Sequence, residues 1–88
     1  MNAEEFMRLP QRDQLGYTLE VGRELMHRIY LYYIVKLYLV EDFYIELWYR
    51  MNQNLIDKIL VVDLDDVIHL YEKEIDISDL FGNGRMGK

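Results

Sequence analysis

Cysteine is absent from this chain of 88 residues, and proline occurs once, at Pro10. No disulfide, thiolate zinc site or cysteine nucleophile is available, and a reducing cytoplasm is the expected compartment. Hydroxyl nucleophiles are nearly as scarce: Thr18 and Ser78 are the only threonine and serine, and neither has a histidine nearby in sequence to activate it. The glycine, histidine and serine spacings of phosphate loops, dinucleotide fingerprints, zinc-protease helices and nucleophile elbows are missing as well. Basic residues are outnumbered, ten against sixteen acids, for a net charge of -6. The imbalance deepens over residues 51–88, with eight acids against Lys58, Lys73, Arg85 and Lys88. Nucleic-acid binding draws on clustered lysine and arginine that displace counterions, so no nucleic-acid partner is expected. The longest apolar and aromatic run, Ile29 to Val35, has seven residues, far from the ~20 that span a bilayer. Glu4 and Glu5 precede any apolar run, unlike the basic start of a signal peptide. The expectation is a soluble, cytoplasmic protein with no membrane partner.

What is present describes a folded module: 51% hydrophobic and 30% charged residues suit a globular chain. At this length only roughly 60 to 65% of the unfolded surface is buried, enough for one core and too little for a deep enzyme cleft. A single α+β domain over residues 1–81 is expected, with a flexible tail over 82–88 that holds three of the five glycines.

Asn2 followed by Glu5 reads as a helix cap with a capping box, carrying Phe6 and Leu9 inward. Pro10 suits a helix start, and Leu15, Thr18, Leu19 and Gly22 then recur at helical spacing, with Tyr17 and Val21 on the flank. A helix is predicted over Pro10 to Val21, ended by Gly22 in a left-handed cap and weakened by Gly16. After Gly22 the period changes from 3.6 to 2 and β-branched and aromatic residues crowd in. Leu25 to Val40 is too long for one ordinary strand, so it is either one bent strand or two strands turning near Leu31 to Tyr33. Phe43 to Arg50 forms the next strand and Leu55 to Val62 a further one, with Asp57-Lys58 breaking its alternation as a bulge would. Asp63 then caps a helix over about Leu64 to Lys73, with Asp65 and Asp66 meeting its dipole. Ile75, Ile77, Leu80 and Phe81 are expected to dock as a strap. The order is helix, an antiparallel meander of three to four strands, helix, with the helices on one face of the sheet.

The turn before Phe43 decides which residues share a face. A two-residue loop at Glu41-Asp42 places Lys36 and Glu46 among apolar residues. A three-residue loop, Val40-Glu41-Asp42, pairs Leu39 with Phe43, Leu37 with Ile45, Val35 with Leu47 and Tyr33 with Tyr49, giving one wholly apolar face. It also sets Lys36 opposite Glu46, Ile34 opposite Trp48 and Tyr38 opposite Tyr44, pairs worth roughly 0.2 to 1 kcal/mol each. The second register is predicted, with Asp42 in the left-handed position.

Candidate chemistry is thin. His27 lies among apolar positions and His69 on the second helix. A metal or acid–base site needs several such groups converging, and a lone histidine on a packed face is ordinarily a hydrogen-bonded core residue. Asp63, Asp65 and Asp66 lack the glycine and twelfth-position acid of a calcium loop. Glu72, Glu74, Asp76 and Asp79 read as a solvated acidic strip. No catalytic residue, cofactor or metal is expected. One feature stands out, the even face of the sheet with Tyr30, Tyr32, Ile34, Tyr38, Tyr44 and Trp48, rimmed by Arg28, Lys36, Glu46 and Arg50. With both helices on the odd face it is an uncovered aromatic patch of the kind that marks an interface. The competing reading has one helix crossing over to bury it.

The run from Leu15 through Leu80, centred on Leu37 to Tyr49 and followed by Ile56-Asp57-Lys58-Ile59 and Ile75-Asp76-Ile77-Ser78, resembles small bacterial proteins known mainly from genomes. Their hairpin often has a glycine before the Asp-Phe pair, where this chain has Glu41. The resemblance implies no activity and no functional residue. The expected function is therefore a non-enzymatic interaction module, most simply a homodimer joined through the aromatic face. An acidic inhibitor or accessory subunit for a basic protein partner is one alternative, and a small enzyme or ligand-binding protein using His27 and His69 another.

Overall fold

The strands pair strictly in chain order. A computed structural model describes residues 1–76, with side chains as far as Tyr71. It contains α1 (Ala3–Met7), α2 (Gln11–Val21), β1 (Arg23–Tyr30), β2 (Tyr33–Val40), β3 (Phe43–Arg50), β4 (Leu55–Val62) and α3 (Leu64–Asp76). The strands form one antiparallel sheet in the order β1-β2-β3-β4, so the fold is α+β with the meander the alternation predicts. Ser78, the strap residues Ile77, Leu80 and Phe81, and the 82–88 tail lie outside the described residues, while Ile75 falls within α3.

Local chemistry accounts for most boundaries. Asn2 accepts from the Glu5 amide at 2.8 Å while the Glu5 carboxylate accepts from the Asn2 amide at 3.0 Å, the predicted capping box. Pro10 is the N-cap of α2, because it has no N–H to leave unpaired. Gly22 ends α2 differently from expectation: its φ of -82 and ψ of 164 are extended, and its role is steric. A Cβ there would stand 2.4 Å from the Thr18 carbonyl and 3.0 Å from Val40 Cγ2, so only glycine lets β1 leave the helix against β2. Leu15 and the buried Thr18 face the sheet, whereas Leu19 and Val21 face solvent. The β1–β2 reversal is the two-residue turn Leu31-Tyr32, with Tyr30 opposite Tyr33. Asp57 sits at the predicted bulge in β4, and a second bulge lies at Leu25 in β1.

The β2–β3 turn is the two-residue loop that the polarity argument rejected. Val40 pairs with Phe43, Tyr38 with Ile45, Lys36 with Leu47 and Leu37 with Glu46, and Glu41, not Asp42, has the positive φ of 55. Each two-residue turn exchanges odd and even positions between faces. One face thus gathers Tyr38, Val40, Phe43, Ile45 and Leu47, onto which Phe6, Leu9, Leu15 and Tyr17 of the N-terminal segment pack. The other holds Arg28, Val35, Leu37, Glu46 and Trp48, and α3 covers it, the Tyr71 hydroxyl donating to Glu46 at 2.9 Å. The helices therefore lie on both faces rather than one. Both faces carry large apolar side chains, and each needs a lid.

Candidate functional site

Glu46 is 2% exposed, Arg28 7% and Tyr71 1%, so the two charges expected on a polar rim lie inside. The Glu46 carboxylate accepts from the Trp48 indole at 3.1 Å, from Tyr71 at 2.9 Å and from an Arg28 Nη2 at 3.4 Å. Three donors compensate a carboxylate that burial alone would strongly disfavour. The Arg28 guanidinium is also stacked among rings, 5.2 Å from the centroid of Tyr71, 5.3 Å from Trp48 and 6.0 Å from Tyr30. Burial first, and then the bond to Glu46, push the Tyr71 hydroxyl far above the usual tyrosine range. This cluster fixes α3 to the sheet. Lys36, expected opposite Glu46, instead sets its ammonium 5.2 Å from the Tyr49 ring centroid on the far face.

The strand ends where the β1–β2 and β3–β4 turns meet are different in character. The Met51 amide donates to the Tyr32 carbonyl at 2.9 Å and ties the two turns together. Between them opens a pocket of about 290 Å³ lined by Tyr32, Tyr33, Arg50, Asn52 and Gln53. Arg50 is held by Asp57 at 3.0 Å and lies 3.5 Å from the Gln53 amide oxygen. The Tyr33 hydroxyl donates to the same Asp57. That hydrogen bond first, and then Arg50, hold the Asp57 carboxyl below its usual range, and the bond raises Tyr33 in turn. Around the pocket stand Ile29, Tyr30, Leu31, Tyr32, Met51 and Leu55, all exposed, with Leu31 at 68% and Tyr32 at 74%. They are half of the exposed large apolar side chains among the described residues.

The six residues predicted to share one face do not. Tyr30 and Trp48 meet edge to face at 5.9 Å, and Tyr44 lies on their side of the sheet, paired with Leu39. Ile34 and Tyr38 point to the opposite side, where Tyr38 is buried in the core. Tyr32 occupies the turn. Trp48, at 9% exposure, is covered, as the crossing-helix reading has it. His27 on β1 and His69 on α3 are both exposed rather than packed, and no three His, Cys, Asp or Glu side chains gather for a metal among the described residues. No helix among them is long and apolar enough to cross a membrane. Leu31, Met51, Leu55 and the Arg50 pocket went unread in the sequence. The available signal was an apolar pair, Leu31-Tyr32, at a tight turn that ordinarily takes asparagine, aspartate or glycine. No known protein-family model, curated protein or solved structure matches this chain.

Proposed function

We propose that this protein is a small interaction module that works by associating with protein, as a homodimer, through the strand ends around the Leu31-Tyr32 turn. The observation that carries the reading is that turn itself. Leu31 has a φ of 55, a region a bulky side chain enters at a cost, and it is largely exposed along with Tyr32. Folding of the single chain gains nothing from leucine and tyrosine there, whereas an interface gains two anchors. The earlier surface, centred on Trp48 and Tyr38, is replaced because α3 and the N-terminal segment cover those residues.

Leu31→Gly combined with Tyr32→Asn tests this. Only the first of the two turn residues has a positive φ, and glycine is the favoured residue there, so the variant is expected to melt higher than the wild type, gaining about 1 kcal/mol, while losing self-association in light scattering across a wide concentration range. A variant that melts lower, or one that associates as the wild type does, contradicts the reading.

A further inference from the structure

Resting on that association, we infer that the occupant of the pocket between the two turns is Leu31 of a second copy of this chain, docked reciprocally about a two-fold axis. Three observations lead to it.

The first is charge. Residues 29–34 and 49–56 contain a single charged side chain, Arg50, and Asp57 neutralises it at 3.0 Å. The other end of the sheet carries Glu24, Glu41, Asp42, Asp63, Asp65 and Asp66 against Arg23. Two chains each bearing -6 repel one another, and joining by the two turns sets the acidic strand ends far apart, each about 24 Å of strand away from the contact. At the turns themselves the one cation, Arg50, and the acid beside it, Asp57, are paired with each other.

The second is the chemistry of the pocket. Arg50 is engaged by Asp57, with Gln53 beside it, and the remaining lining is tyrosine rings and amides. That is a wall for a neutral, apolar group. At about 290 Å³ it lies at the lower edge of small-molecule sites, which run from roughly 300 to 1,000 Å³, and it has room for one large side chain.

The third is adjacency. Tyr32 lines the pocket and Leu31 precedes it at 68% exposure, so knob and hole are neighbours on one surface. That arrangement lets a two-fold contact close on itself: Leu31 of each copy enters the pocket of the other, and the assembly ends at two.

Reciprocity makes the test sharp. Asn52→Trp fills the pocket without touching Leu31 and is expected to weaken dimerisation at least about tenfold, with circular dichroism unchanged and the melting temperature unchanged at dilutions where both proteins are monomeric. Leu31→Asn alone weakens it similarly from the other side. Mixing the two variants restores one of the two contacts, an intact Leu31 facing an open pocket, so the mixture associates more strongly than either variant alone. If Asn52→Trp dimerises like the wild type, or the mixture gains nothing, the pocket is not the seat of Leu31 and the inference is overturned while association stands. If the wild type is monomeric at every concentration, the association itself is refuted.

Discussion

Three residues other than glycine hold a φ of 55 among the described residues, and each answers the strain differently. Asn54 is a residue type that tolerates the left-handed region. Glu41 gains partners there: its carboxylate meets the Met1 amino group at 2.9 Å and accepts from the Tyr17 hydroxyl at 2.7 Å, clamping both N-terminal helices to the β2–β3 turn. Leu31 gains nothing within its own chain. Glu46 is the counterexample to a simple polarity rule, a charge made tolerable inside by three donors. Its removal strands Arg28, so Glu46→Ala is expected to cost about 3 to 5 kcal/mol in chemical denaturation. Tyr71→Phe, which leaves the carboxylate two donors, should cost only about 1 to 2 kcal/mol. Equal losses would mean that Tyr71, not the ion pair, organises the cluster.

Among the elements, periodicity and turn chemistry make the strands legible: Phe43–Arg50 and Leu55–Val62 are found as predicted, and so are the Asn2 capping box and the Asp57 bulge. The register was not legible, and the reason is physical. Choosing the β2–β3 loop by keeping charge off apolar faces assumes that Glu46 has no partner, and the partner that completes it, Tyr71, lies 25 residues further along the chain. One misplaced residue then exchanges the faces of every side chain beyond it, which is why the aromatic patch dispersed. The same distance effect hid the candidate site, since the two turns that frame it are neighbours only once β2 pairs with β3. The two glycines of the α2 segment, one inside the helix and one at its end, differ in what surrounds them. Nothing lies within 4 Å of a Cβ built on Gly16, while one on Gly22 meets the Thr18 carbonyl at 2.4 Å. Gly16→Ala should therefore stabilise by up to about 1 kcal/mol and Gly22→Ala destabilise by about 1 to 3 kcal/mol, compared by thermal melts.

For the molecule as a whole, the contrast between the two nearly uncharged turns and the acidic opposite strand ends sets how the proposed association responds to solution conditions. Salt screens the repulsion between two chains of -6, so the dimer should tighten as ionic strength rises, measured by sedimentation equilibrium. Weakening with salt would point instead to opposite charges meeting, as in the capture of a basic protein by the acidic end. The two outer strands bear on a different kind of contact, sheet edge to sheet edge. Both β1 and β4 are interrupted by a bulge, at Leu25 and at Asp57, and a bulged strand presents a broken row of amides to any newcomer. Neither flank of this tyrosine-rich meander therefore offers an unbroken edge along which another sheet could pair.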